Sequence, residues 1–173
     1  MFDRTQFNQE KQENIKKAFG NKELNASALN FMTISDRFNY GYNWTWLDLP
    51  IIQMPEDIVL AQEIIWEVKP DIIIETGVAW GGSVVLYASI LELIGKGKVL
   101  AIEKVLPPHN VEAIMKYNFS HRIQLFEGSS IDPLIVQQVK ACIKPSDKVM
   151  VLLDSNHTHE HVYEELKIWA PMV

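Results

Sequence analysis

Residues 70–83 read Pro70-Asp71-Ile72-Ile73-Ile74-Glu75-Thr76-Gly77-Val78-Ala79-Trp80-Gly81-Gly82-Ser83. Three successive isoleucines suit a strand buried on both faces, as in a parallel sheet, and a turn of small residues separates it from an apolar helical run that begins at Val84. The stretch is therefore a strand, a tight loop and a helix N-terminus. Gly77, Ala79, Gly81 and Gly82 let a ligand approach the loop backbone closely, because little or no side chain stands in the way. Glu75, at the carboxyl end of the strand, is placed to accept hydrogen bonds from a ligand or from the loop's own amides.

Working upstream, Pro55-Glu56-Asp57 opens a helix whose Ile58, Ala61, Ile65 and Val68 recur on one face until Pro70 stops it. Downstream, Ser83 to Ile94 reads as a helix, and Gly95-Lys96-Gly97-Lys98 turns the chain into a second strand, Val99 to Glu103. A helix over Asn110 to Tyr117, a third strand Ile123 to Glu127, the turn Gly128-Ser129-Ser130, a helix over Ile131 to Ile143, a fourth strand Lys148 to Asp154 and a last helix Val162 to Trp169 follow. Alternation of this kind predicts an α/β fold with a parallel sheet wound by right-handed crossovers. Glu75, Glu103, Gly128 and Asp154 then all fall at carboxyl ends of strands, where open α/β sheets bind ligands. Residues 41–173 form this domain. Residues 1–40 are expected to be a polar arm or helix beginning near Gln9, and the aromatic-rich segment Phe38 to Pro50 either walls a pocket or packs the arm onto the core.

Bulk properties narrow the function. The 173 residues are 47% hydrophobic and 22% charged, ordinary for about one globular domain. A net charge of −6 and scattered Lys and Arg argue against a nucleic-acid groove. No apolar run approaches the roughly 20 residues that span a bilayer, and the polar start lacks a signal-peptide core. The single Cys142 excludes an internal disulfide, so a cytoplasmic protein with a small or neutral substrate is expected, and no membrane partner.

Glu103 lies one βαβ unit beyond the glycine loop, where nucleoside sites place a carboxylate for ribose hydroxyls; it could be a solvated strand end, yet an acid after four apolar residues at the ligand edge favours ribose binding. Ser129 or Ser130 could cap the next helix, with Asp132 complementing its dipole, and could also touch an adenine ring. Asp154 followed by His157, His159 and His161 could hold a divalent cation, act as acid and base, or be an N-cap among surface histidines. Zinc is disfavoured, since the only cysteine is elsewhere.

The spacing Glu75-x-Gly77-x-Ala79-x-Gly81 resembles the first motif of class I methyltransferases rather than the dinucleotide pattern. With Trp46-Leu47-x-x-Pro50-Ile51-Ile52-Gln53-x-Pro55-x-Asp57, Glu127-Gly128-Ser129-Ser130 and Leu153-Asp154-Ser155-Asn156-His157-Thr158-His159-Glu160-His161-Val162, the chain from Tyr40 onward resembles the cephalosporin hydroxylase and rhamnosyl O-methyltransferase family. The resemblance implies a Rossmann-like class I methyltransferase sheet, of which four strands in the order 3-2-1-4 are expected and strands 5-7 are not. It implies S-adenosylmethionine as cofactor, held by Glu75, Thr76, Gly77, Ala79, Gly81, Gly82, Ser83, Glu103, Gly128, Ser129 and Ser130. It also implies Mg²⁺ as a candidate at Asp154, His157 as a candidate base, and a small hydroxylated acceptor. A homo-oligomer is expected, because the apolar outer edge of the fourth strand needs a cover. An iron-dependent hydroxylase and a non-catalytic nucleotide-binding or assembly module are the alternatives.

Overall fold

The computed structural model describes residues 2–173, which divide into units of residues 2–40 and 41–173. The first unit is a pair of helices rather than one, α1 (Arg4–Phe19) and α2 (Lys22–Asp36). Asp3 caps α1, its carboxylate accepting from the Thr5 and Gln6 amides at 2.8 and 3.1 Å. Gly20 ends that helix, and Asn21 caps the next by accepting from the Leu24 amide at 2.9 Å. The Gly-Asn pair is the break that a reading from Gln9 onward passes over.

The second unit opens with a hairpin that composition alone did not reveal: β1 (Trp44–Trp46) pairs antiparallel with β2 (Leu49–Ile51). Its two turn residues, Leu47 and Asp48, have φ of 48° and 71°, the double left-handed conformation of tight hairpins. Leu-Asp is a poor stand-in for the Asn-Gly that announces such turns, which hides the hairpin from the sequence.

Four parallel strands follow: β3 (Ile72–Thr76), β4 (Lys98–Glu103), β5 (Ile123–Glu127) and β6 (Val149–Leu153), in the order β5-β4-β3-β6. This is the expected 3-2-1-4 arrangement, counted from the first buried strand. The isoleucine strand β3 is buried at all five positions, as a central strand covered on both faces must be. Alternation divides the core. Ile73, Val99, Ala101 and Ile123 face the layer containing α3 (Pro55–Val68), α4 (Gly82–Ile94) and α5 (Pro108–Met115). Ile72, Ile74, Leu100, Ile102 and Phe126 face α6 (Pro133–Lys140) and α7 (His159–Trp169).

Two helix starts differ from expectation. Asp132, not Ser129 or Ser130, caps α6, accepting from the Leu134 amide at 2.8 Å with Pro133 at the first helical position. Helix α7 begins at His159 rather than Val162, after Thr158, so His161 lies in its first turn. Among the described residues, no helix is long and apolar enough to cross a membrane.

Candidate functional site

The carboxyl edge of the sheet is built around the backbone after β3. Gly77 has φ 90°, and a Cβ there would stand 2.1 Å from the carbonyl oxygen of Asp154, at the end of the neighbouring strand. Only glycine lets the ends of β3 and β6 come this close. Ala79 is held at φ 47°, an uncommon conformation for a residue with a side chain and a mark of a constrained loop. Gly82, the first residue of α4, packs so tightly that a Cβ would lie 2.3 Å from the Pro50 carbonyl, which seats the hairpin against the loop.

Glu103 fixes the loop from the other side. Its Oε2 accepts from the Val78 and Ala79 amides at 2.8 and 3.0 Å, and its Oε1 accepts from the Lys104 amide at 2.8 Å. Two of the loop's amides are thus satisfied by an anion on the adjacent strand, the stronger, charge-assisted kind of bond. Asn110 on α5 donates to the Ala79 carbonyl at 3.0 Å and pins the same turn.

Two cavities meet over this backbone. The larger, of about 410 Å³, is walled by Glu103, the turn Gly128-Ser129-Ser130, and Asn156 and His161 beyond β6. The smaller, of about 250 Å³, lies towards the hairpin and is walled by Tyr42, Gln53, Trp80, Ser83 and His157. Gly77, Ala79, Asp154 and Ser155 border both. A volume of this order suits a small organic ligand.

Of the residues singled out from the sequence, Gly77, Ala79, Glu103, Gly128, Ser129, Ser130 and Asp154 line the larger cavity, while Gly82, Ser83 and His157 line the smaller. Glu75, Thr76 and Gly81 line neither. Glu75 is 1% exposed and sits behind the loop, hydrogen-bonded to Ser83, with no partner for its Oε2 among the described residues. Burial first, then the negative charges of Asp154 and Glu103, push its carboxyl up to about 8, so it is mostly protonated at neutral pH. Tyr87, behind it, is also raised, by burial and then by Glu75.

Asp154 is half-exposed and its carboxyl is raised, chiefly by desolvation, with the nearby His157 pulling the other way. His157 Nε2 stands 3.6 Å from Asp154 Oδ1, and the histidine is largely exposed. His159 lines neither cavity and stacks on Tyr163. Among the described residues, no three His, Cys, Asp or Glu side chains converge where they could hold a metal ion. Asp154 alone offers one anionic ligand.

Sequence reasoning missed Gln53, Ser155, Asn156 and Glu165. Gln53 follows the hidden hairpin, and Glu165 could have been found as the i+4 partner of His161 on one helix.

Comparison with known proteins bears on this geometry. Residues 38–173 match the model of the family Rhamnosyl O-methyltransferase/CmcI. A rhamnosyl O-methyltransferase of Mycobacterium bovis (strain BCG / Pasteur 1173P2) is 33% identical over 117 residues, covering 65% of this chain and 45% of that protein. One of Mycobacterium leprae (strain TN) is 28% identical over 141 residues, covering 78% and 58%. The chain thus spans about half the length of the curated relatives it matches. Among solved structures, cmcI-D160 Mg-SAM superposes with a TM-score of 0.53 at 17% identity, over 72% of this chain and 51% of that one. The CmcI-N160 apo-structure does so with a TM-score of 0.52 at 18% identity, over 72% and 51%. These likenesses show the fold. With the family match extending over most of its length, the chain belongs to the Rhamnosyl O-methyltransferase/CmcI family.

Proposed function

We propose that this chain carries the donor-binding half of an S-adenosylmethionine-dependent O-methyltransferase whose acceptor is a small hydroxylated molecule, a sugar foremost. The observation that carries the reading is the junction of two cavities over Gly77 and Asp154, one walled by an acid and a polar turn and the other by exposed aromatics. Family relatives named rhamnosyl O-methyltransferase and the CmcI structure with Mg-SAM support the same chemistry.

The larger cavity fits the nucleoside part of the donor: Glu103 offers carboxylate oxygens on one side, and Gly128, Ser129 and Ser130 offer a close-packed polar turn on the other. Ser83, at the start of α4, and the loop from Gly77 face the amino-acid part. When bound, S-adenosylmethionine supplies an electrophilic methyl group on a sulfonium centre. The chain's own contribution is orientation, which brings the acceptor hydroxyl and the methyl into line at the shared border of the cavities. Asp154 and His157 stand there to accept the hydroxyl proton, and the upward shift of the Asp154 carboxyl makes it a stronger base than an ordinary aspartate. Trp80 and Tyr42, each about half-exposed, offer flat apolar faces to the acceptor.

Mg²⁺ fits less well. One carboxylate is a thin basis for an octahedral ion, and no acidic cluster completes a site among the described residues, so no step is routed through a metal. The outer edge of β6 has no strand partner among the described residues, and a homo-oligomer covering it is part of this reading. Titration calorimetry with S-adenosylmethionine and S-adenosylhomocysteine is the direct test. Micromolar binding that drops at least tenfold in Glu103→Gln is expected, and absence of binding to a folded protein would overturn the proposal.

A further inference from the structure

At the wall of the larger cavity lies a cluster of which the donor site uses only Ser130. Ser130 follows β5 and Ser155 follows β6, strands at opposite edges of the four-stranded sheet. Yet both hydroxyls donate to the same oxygen, Oε1 of Glu165 on α7, at 2.5 and 2.7 Å. Glu165 is fully buried, and its Oε2 has no partner among the described residues. The same two hydroxyls stand 3.1 and 3.2 Å from Nε2 of His161, one turn earlier on the helix. Trp169, also buried, donates from its indole to the Ser130 carbonyl at 3.1 Å and holds the cluster from below.

Counting protons fixes the histidine. Each serine has one hydroxyl hydrogen, and both are spent on Glu165, so towards His161 the serine oxygens can only accept. Nε2, which also stands 3.5 Å from Glu165 Oε1, therefore carries a hydrogen, and when the ring is neutral Nδ1 is left as a bare acceptor. No group among the described residues bonds Nδ1. His161 has the only ring among the residues lining this cavity, and its side chain is 15% exposed. A locked ring presenting an acceptor suits a ligand group that donates.

Resting on the methyl-donor reading, we propose that His161, held in this tautomer by Ser130, Ser155 and Glu165, is the specificity-determining residue that accepts a hydrogen bond from the exocyclic amine of the donor's adenine. A base bearing an oxo group in place of that amine would set one acceptor against another, and such a mismatch costs about tenfold in affinity or more.

The test compares S-adenosylhomocysteine with S-inosylhomocysteine by titration calorimetry on the full chain, for the wild type and two variants. Gln at 161 (His161→Gln) places its amide where Nε2 stands and leaves nothing at Nδ1. Asn (His161→Asn) does the reverse. The wild type is expected to prefer the adenosyl compound at least tenfold. His161→Gln should keep a melting temperature within a few degrees of the wild type and lose the preference, whereas His161→Asn should melt lower and keep it. A purely structural histidine would give equal preference in all three proteins, and retention of the preference by His161→Gln would equally overturn the assignment. Wild-type protein that binds both compounds alike sinks this inference alone, whereas one that binds neither sinks the methyl-donor reading as well.

Discussion

The two ends of the parallel sheet carry acids in opposite states. At the amino end, Asp71 is matched: its Oδ1 accepts from Lys96 Nζ at 2.7 Å and its Oδ2 from the Lys148 amide at 3.0 Å. Its carboxyl is held below the ordinary range, first by the Lys96 bond and then by Lys148. At the carboxyl end, Glu75 and Asp154 have no lysine or arginine beside them in the cavities' walls except Lys104, and both are raised, chiefly by burial. One end spends its charges on holding strands together. The other stores poorly solvated acids around open space, the arrangement from which binding and proton transfer are made.

Glycines give the sharpest way to break that contrast. Gly77 and Gly95 both have positive φ, 90° and 83°, but a Cβ at Gly95 meets nothing within 4 Å, whereas one at Gly77 strikes the Asp154 backbone. Gly77→Ala is expected to lose about 3 kcal/mol or more, a drop of roughly 10 °C in melting temperature, together with donor binding. Gly95→Ala should cost only about 1 kcal/mol of conformational strain and leave binding intact. Thermal melts of the pair decide it, and equal losses would show that the two ends do not differ in packing.

Glu75 makes the next largest difference, read through pH. Its carboxyl is raised in the folded protein from the ordinary 4.5 to about 8, so between those values the native state holds a proton that the unfolded chain releases. Its contribution is fully present below about 4.5 and is lost as pH rises towards 8, by about 4 kcal/mol at most. Glu75→Gln keeps the shape and cannot ionise. Melting temperatures recorded from pH 5 to 8 should therefore decline less steeply for the variant than for the wild type, and parallel curves would mean that Glu75 is charged throughout.

How much of this could be read from residues depends on which force sets each part. The parallel sheet and the carboxyl-edge placement of Glu103, Gly128 and Asp154 were legible because unbroken apolar runs such as Ile72-Ile73-Ile74, alternating with helices, leave few topologies open, whereas the strand order followed from the family resemblance. The hairpin was not, because its turn places Leu47 and Asp48 in a conformation their side chains do not advertise. The binding edge was legible as a location but not as a division of labour. Gly77 and Gly82 look equivalent in sequence, yet one passes the end of β6 and the other receives the Pro50 carbonyl of the hairpin. Glu75 was expected to accept hydrogen bonds from a ligand or from the loop's amides and is instead buried behind the loop, because a residue at the penultimate position of a central strand points into a helix layer. The Ser130–Ser155–Glu165 junction was invisible, since its two bonds join residues 35 and 10 positions apart only after α7 has packed against the sheet.

Asp71 supplies the smallest effect and the cleanest control. Because the side chain is about one-third exposed, its pairing with Lys96 is screened and should be worth no more than about 1 kcal/mol. Asp71→Asn is expected to lower the melting temperature by about 2–4 °C at neutral pH. A carboxyl held below its ordinary 3.8 contributes stability above that value and loses it as pH falls through the lowered one, so wild type and variant should converge in strong acid. Donor affinity, measured by calorimetry at pH 7, should stay within twofold, because the change lies at the far end of β3 from Gly77. A tenfold fall in affinity would mean that the pairing of Asp71 with Lys96 and Lys148 sets the register of β3 against β4 and β6, and with it the position of the loop, so that the two ends act as one.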